Sequence, residues 1–393
     1  MGEQFGRITR RRFLQGAAAA GAIASVPGLF HTPASAASFP FIKRSGTSLL
    51  EGRRPWYLYG ASIYGTSNPG GANNGSVAGI VALARQAGVN TLRIVNFFEE
   101  GNLTTPTDPT VAPFRESDWR RVDEILAAAR SNGMRAIVDL SAFRNCLGAW
   151  LYNRWQDGLG PQMSPYHPDA QPAWTDFIRF VTARVNTRNG LVYRNDATIA
   201  IVSFAGEPEP PASGEPLKTA STQELTNFYS KVFATWRRWD RKHLLSSGGL
   251  LHIDWEELYG TPGGSGIDID AIVALRNHDV PSIHNYWAFD PPTAPNDFKT
   301  SKFSRACGAV SKPWITEEFG WKQSVADADR ADRYQLVYDI QANPDPSPPA
   351  GVTPGVVSAG IAVWNLGAEV HPDSHDVNPN TPLAWQVVID NAP

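Results

Sequence analysis

Ile199-Ala200-Ile201-Val202-Ser203-Phe204, followed at once by Ala205-Gly206-Glu207-Pro208, decides how the rest of the chain is read. Six mostly apolar residues, closed by Gly and Pro, make a short strand buried on both faces. Helical stripes flank it. Upstream, Trp174, Phe177, Ile178, Val181 and Val185 recur at three-to-four spacing. Downstream, Leu225, Phe228, Val232, Trp236 and Trp239 do the same, opened by a Ser221-x-x-Glu224 capping box. A buried strand between two amphipathic helices is one unit of a parallel α/β sheet.

Working outward, the same unit recurs. Strands are expected at Trp56–Ala61, Thr91–Val95, Arg135–Leu140, Ile199–Phe204, Leu244–Ser247, Ser282–Tyr286, Trp314–Thr316 and Gly360–Trp364. Trp119, Val122, Ile125 and Ala129 form another helical stripe, with Gly133 in the C′ position. Eight strands alternating with helices predict one α/β domain, a (β/α)8 TIM barrel, in which working residues stand at the C-terminal strand ends. Asn343–Pro354 is Pro-rich and reads as a loop before the eighth strand, not as a linker.

Composition narrows the function classes. Of 393 residues, 42% are hydrophobic and 19% charged, a globular balance that excludes a disordered chain. Residues 1–36 hold four Arg against one Glu, so the formal net charge of −3 leaves −6 for residues 37–393. An acidic body without a basic run is a poor nucleic-acid binder. Two cysteines, Cys146 and Cys307, exclude a disulfide scaffold and a Cys-based zinc site, and both are expected as buried thiols. Thirteen Trp, all beyond residue 36, suit a large core and stacking on sugar faces.

The N-terminus reads as an address. Thr9-Arg10-Arg11-Arg12-Phe13-Leu14-Gln15 resembles a twin-arginine export signal. A mild apolar stretch from Gly16 to Phe30 follows, and then Ala34-Ser35-Ala36 as a cut site. The stretch is too short and too weakly apolar to stay in a bilayer. The expected division is a cleaved signal at 1–36 and a barrel at 37–393, secreted or otherwise extracytoplasmic, with no membrane association in the mature form.

Two strand ends carry the chemistry. The fourth ends Gly206-Glu207-Pro208 and the seventh Thr316-Glu317-Glu318-Phe319-Gly320. Carboxylates facing each other across a barrel mouth are what retaining glycoside hydrolysis needs, one protonated for the leaving oxygen and one ionised to attack. Strand alternation chooses between Glu317 and Glu318. With Ile315 assigned to the helix-facing side, Glu318 faces the cleft with Thr316, and Glu317 is left to an ion pair or a loop. Glu207 shares its parity with Ser203 and Ala205.

Arg184-Val185-Asn186-Thr187 and Gly190-Leu191-Val192-Tyr193-Arg194-Asn195-Asp196-Ala197-Thr198-Ile199 resemble the stretch before the acid/base of endo-β-1,4-mannanases in glycoside hydrolase family 5. Glu51-Gly52-Arg53-Arg54-Pro55-Trp56-Tyr57, Thr91-Leu92-Arg93 and Lys312-Pro313-Trp314 are similar to the first, second and seventh strands of that family. The resemblance implies Glu207 as general acid/base and Glu318 as nucleophile. It implies Arg93 as the residue that orients the nucleophile, Tyr286 as a donor to it, and His284 beside the acid/base. Trp364 would be the platform under the sugar.

The family writes Asn-Glu-Pro where this chain has Gly206-Glu207-Pro208, and that Asn contacts the sugar 2-OH. Asn96 and Asn285 are the residues that could replace it, and a compensating donor is the expected outcome. The third strand also departs, with Ser141-Ala142-Phe143 where mannanases carry Asn-Trp. Trp150, Trp155 and Trp287 are expected in loops after strands three and six, as sugar subsites or local packing. His371-x-x-x-His375 with Asp373 and Asp376 has metal-like spacing but lies in a Pro-containing loop, and Gly263-Gly264-Ser265-Gly266 reads as a flexible loop.

The expectation is an exported, retaining endo-β-1,4-mannanase, a monomer without cofactor or metal, acting on mannan or glucomannan. The alternatives are another retaining β-glycanase or exo-mannosidase of the same clan, or a mannan-binding barrel with impaired catalysis.

Overall fold

The computed structural model describes residues 39–64, 76–95, 114–160, 163–208, 222–250, 267–286 and 296–393. Pro40–Ala392 form one compact unit. The expected export signal, Asn96, Ser221, Gly263–Gly266 and Trp287 lie outside the described residues.

The unit begins with a feature the sequence reading lacked. Ile42–Ser45 (β1), Ser48–Glu51 (β2) and Arg54–Trp56 (β3) form an antiparallel sheet. Trp56, expected in the first barrel strand, belongs to β3, and the barrel begins at Leu58. The turns at Gly46 and Gly52 have positive φ, 58° and 63°, which glycine adopts without steric cost.

Eight parallel strands follow: Leu58–Tyr64 (β4), Thr91–Val95 (β5), Arg135–Asp139 (β6), Ile199–Ser203 (β7), Leu244–Ser246 (β8), Ser282–His284 (β9), Ile315–Glu318 (β10) and Gly360–Val363 (β11). Their order is β8-β7-β6-β5-β4-β11-β10-β9. A parallel bridge between Leu250, just past β8, and Ile283 of β9 brings the two ends together. This is a (β/α)8 TIM barrel, as the strand count predicted.

Helices alternate with these strands: Val77–Gln86 (α1), Glu116–Ser131 (α2), Ser141–Gln156 (α3), Gln171–Ala183 (α4), Thr222–Arg237 (α5), Ile269–Ala274 (α6), Asn296–Ala309 (α7), Asp327–Ala342 (α8) and Pro382–Asp390 (α9). Stripe residues Trp119, Val122, Trp174, Phe177, Val232 and Trp236 are buried where helices meet strands. Val185 is an exception: α4 ends at Ala183, and Val185 is exposed. Trp150 and Trp155 lie on α3 and not in a loop, because the chain turns helical directly after β6. Cys307 is buried and Cys146 half-buried, and no disulfide joins them.

Alternation divides the barrel interior into levels. At the N-terminal end, Leu58, Ile137, Ala200, Leu244, Ile315 and Ala362 pack together, and Ile42, Leu49 and Trp56 of the small sheet cover them. Above lie Ser203, Ser246, Ser282 and Glu317, all fully buried. The charged residues stand at the C-terminal mouth.

Candidate active site

Each functional side chain sits at or just past a strand end. Arg93 of β5 points inward, between Ile94 and Leu92, which face the helices. Its Nη1 donates to Glu318 Oε1 and Nη2 to Asp139 Oδ2 at the end of β6. Burial works against the guanidinium charge, but Glu318 and Asp139 outweigh it and keep Arg93 protonated far above its ordinary range. Asp139 was not anticipated. Its position two residues after Ile137, on the inward face, was the available signal.

Glu318 accepts a second hydrogen bond, 3.0 Å from the Tyr286 hydroxyl, at Oε2. His284 Nδ1 lies 3.4 Å from the same oxygen and 2.7 Å from Glu207 Oε1. Glu207, His284 and Glu318 each offer an atom within 4.8 Å of the others. Five of the six residues singled out from sequence therefore meet in one cluster. Trp364, the sixth, follows β11 beside them. It is half-buried, stands edge-on to Tyr64 with ring centroids 5.3 Å apart, and is held by a 2.7 Å bond from its amide to Phe319 O.

The parity argument for β10 is corrected. Ile315 packs inside the barrel and not against the helices, and Glu317, on the same face, also points inward. Glu317 accepts from Ser203 Oγ at 2.5 Å and Ser282 Oγ at 3.1 Å, one level below the mouth, in place of an ion pair or a loop. Glu318 reaches the mouth because the β9–β10 register shifts between Thr316 and Glu318. Such an irregularity re-aims one side chain and breaks strict alternation. Burial raises the Glu317 carboxyl above the ordinary range, so it favours the neutral acid.

Glu207 is presented by a turn and not by strand alternation. β7 ends at Ser203, Ala205 packs on the helix side, and Glu207 takes φ 48°. A non-glycine residue there is strained and persists only where its surroundings hold it. Burial pushes the Glu207 carboxyl up, but the hydrogen bond and charge of His284 prevail and bring it down to about 2. The effect is mutual. Burial disfavours the imidazolium of His284, whereas Glu318 and Glu207 raise its proton affinity above the usual value.

Position 206 has no room for a side chain. A Cβ on Gly206 would stand 2.2 Å from Gly248 O and 2.9 Å from Ser141 Oγ. The missing Asn is therefore not a simple deletion: the backbone after β8 fills its place. Asn285, expected as a replacement donor, directs its amide nitrogen to Thr300 Oγ1 in α7, 3.5 Å away. Gly249, with φ 95°, lies so close under the His284 ring that a Cβ would overlap it at 1.9 Å.

Among the described residues, Glu207, His284 and Glu318 form the one acidic and imidazole cluster compact enough to hold a metal, and Arg93 already balances Glu318 there. The His371–His375 stretch does other work. His371 Nδ1 accepts from Asp373 N at 3.2 Å, and Asp376 holds Asn365, next to Trp364, by a 2.9 Å bond. Arg144 of α3, not anticipated either, donates through Nη1 to the carbonyls of both Gly206 and Glu207.

No family model matches the chain. It is 26% identical over 374 residues to mannan endo-1,4-beta-mannosidase 2 of Oryza sativa subsp. japonica, covering 87% of this chain and 80% of that protein. To mannan endo-1,4-beta-mannosidase 5 of Arabidopsis thaliana it is 24% identical, covering 88% and 83%. Among solved structures, the endo-1,4-beta-mannanase from Rhizomucor miehei superposes with a TM-score of 0.67 at 19% identity, over 90% of this chain and 99% of that one. The resemblance to mannanases read from short motifs thus extends over most of the chain.

Proposed function

We propose that this chain is a glycoside hydrolase of family 5, a retaining endo-β-1,4-mannanase that cleaves internal mannosidic bonds of mannan or glucomannan. One observation carries the reading. One oxygen from each of two carboxylates and one nitrogen of an imidazole lie within 4.8 Å of one another at the C-terminal mouth of a barrel, close enough for carboxyl groups spaced as in retaining enzymes. Retaining enzymes need a separation of about 5–5.5 Å, whereas inverting ones leave about 6.5–9.5 Å for a water. The likeness to named mannosidases supports the choice of sugar, and Trp364, half-buried at the mouth, suits a platform for a pyranose face.

The chemistry follows from the charges. Glu318, aimed by Arg93 and Tyr286, attacks the anomeric carbon as the bond to the leaving oxygen breaks. The proton that oxygen requires is held at rest by the Glu207–His284 pair. As Glu318 passes its charge into the new bond, the attraction keeping that proton on His284 weakens. The proton then moves through Glu207 to the departing oxygen. In the second step water attacks the glycosyl–Glu318 ester, Glu207 takes its proton, and Glu318 is released as carboxylate.

Residues 1–36 we read as a twin-arginine signal cut after Ala36, supported by Arg10-Arg11 and the small residues Ala34 and Ala36. No helix of the described residues is long and apolar enough to cross a membrane. N-terminal sequencing of the exported protein tests the cut.

For the activity, mannan, glucomannan, cellulose and xylan are digested in parallel, with product anomers followed by NMR from the first minutes. The expected result is a ladder of mannooligosaccharides released first as β-anomers. First release as α-anomers would overturn retention. Monosaccharide as the sole early product would favour the exo-acting alternative, and binding without cleavage the impaired barrel.

A further inference from the structure

The segment that presents Glu207 is held at every backbone group. Ala205 N donates to Ser247 O at 3.1 Å, and Ala205 O accepts from the Tyr229 hydroxyl at 2.7 Å. Gly206 N donates to Ser141 Oγ at 2.7 Å, and Glu207 N to Gly249 O at 2.8 Å. Both remaining carbonyls, of Gly206 and Glu207, accept from Arg144 Nη1. A residue at φ 48° stays in place only when it is over-determined in this way.

Two of these holders come from the start of α3, where the chain departs from the mannanase pattern. Ser141 is itself tied to the opposite side of the site. Its amide donates to Asp139 Oδ1 at 2.7 Å, and Asp139 Oδ2 binds Arg93, which binds Glu318. His284 connects Glu207 to Glu318 directly. The contacts therefore close a ring that runs Glu207, His284, Glu318, Arg93, Asp139, Ser141, Gly206 and back to Glu207.

We infer that Ser141 and Arg144 are positioning residues for the acid/base: they hold the strained Gly206–Glu207 backbone and, through Asp139 and Arg93, tie its place to that of the nucleophile. The inference rests on the role proposed above for Glu207. A side chain at 206 would run into Gly248 O and Ser141 Oγ. Here the glycine lets Gly248 O approach, and the hydroxyl and guanidinium of α3 secure the turn from outside.

A holder of the acid/base matters in proportion to how badly the leaving group needs a proton. The test compares kcat/KM for dinitrophenyl and phenyl β-mannobiosides, which reports the steps up to aglycone departure. Ser141→Ala leaves the Gly206 amide without its acceptor. It is expected to lower kcat/KM about tenfold for the phenyl substrate and less than about twofold for the dinitrophenyl one. Ser141→Thr, which keeps the hydroxyl, should restore the phenyl rate. Arg144→Ala should behave as Ser141→Ala does, and Arg144→Lys, which keeps a charged donor on α3, should lose less.

Equal losses on both substrates, or no loss on either, would overturn the inference while leaving the function standing. So would a fall in thermal midpoint with the substrate ratio unchanged. If Ser141→Ala does not fold, the Arg144 pair decides, and failure of all these variants to fold counts against a positioning role. A wild-type protein that cleaves neither substrate removes the role of Glu207 and this inference with it.

Discussion

Two carboxylate–imidazole pairs stand at opposite ends of the barrel, and the same chemistry does different things in them. At the closed end, before β8, Asp240 binds His243 Nδ1 and also accepts from Trp236 Nε1 at 2.8 Å and from the Lys242 amide at 2.7 Å. His243 Nε2 finds Asp196 O at 2.9 Å. Every strong valence of the pair is filled, and Asp240 falls to about 2 because His243 outweighs the burial that pushes it up. At the mouth, Glu207 is held equally low by His284, but a second carboxylate, Glu318, competes for the same nitrogen. His284 Nε2 has no hydrogen-bond partner among the described protein atoms, and the Glu207 side chain is 36% exposed. A saturated pair is structure. A pair with a competing charge and an open side can give up its proton, which is what the proposed acid/base role requires.

The contrast breaks most sharply on the proposed nucleophile. Glu318→Ala should reduce mannan hydrolysis by about 10⁴-fold or more, with little loss of stability, and azide should restore turnover with an inverted anomer. Should Glu317→Ala be the dead enzyme while Glu318→Ala stays active, the mouth has been assigned to the wrong carboxylate. At the closed end the outcome is reversed. Asp240→Ala leaves His243 and the Lys242 amide without their acceptor and should cost about 3 kcal/mol in chemical unfolding. Its kcat below the transition should stay at the wild-type value.

Gly206→Asn probes the mouth without touching a carboxylate. Since a Cβ there meets Gly248 O at 2.2 Å, the turn must shift, and kcat/KM on mannan should fall about a hundredfold. A rise would mean that the backbone yields and that the 2-OH contact implied by the resemblance to mannanases returns.

Acid titration sharpens the comparison at smaller scale. Asp240 has its pKa lowered from the ordinary 3.8 to about 2 in the folded protein. A depressed carboxylate contributes stability above its unfolded pKa and loses it as pH falls through the folded value. Stability should therefore drop by about 2 kcal/mol between pH 4 and 2 from this pair, a slope that Asp240→Asn should remove. Glu317→Gln should matter least. Burial already favours the neutral acid, and the amide oxygen can accept from Ser203, so kcat/KM should stay within about threefold of wild type. A loss of a hundredfold would show that its charge is used.

Much of the barrel was legible because burial on both strand faces leaves a continuous apolar run, and all eight runs correspond to observed strands within a few residues. The short sheet at Ile42–Trp56 was not. Lys43, Arg44, Arg53 and Arg54 interrupt the apolar pattern there, and its few inward residues cap a barrel that exists only after folding. At the mouth, Glu207 and Glu318 were legible because strand ends mark where side chains converge, whereas Arg93, His284, Tyr286 and Trp364 were named only through the resemblance to mannanases. Asp139 and Arg144 were missed and Ser141 was noted only as a departure in the cleft wall, because the partners of the two on α3 are 62 to 65 residues away and Arg144 acts on backbone carbonyls that carry no residue signature.

The sequence by itself determined the repeating strand–helix pattern and the two carboxylates at strand ends. These follow from local periodicity and from residue chemistry at fixed places in a repeat. Glu318 was the right choice of the Glu317-Glu318 pair for the wrong reason: only the tertiary structure showed that a register shift beside β9, and not strand parity, brings it to the mouth. The tertiary structure alone showed that the space at Gly206 is filled by the backbone that follows β8. Both depend on contacts between segments distant in the chain, where close packing and hydrogen-bond saturation outweigh any preference a short stretch of residues can express.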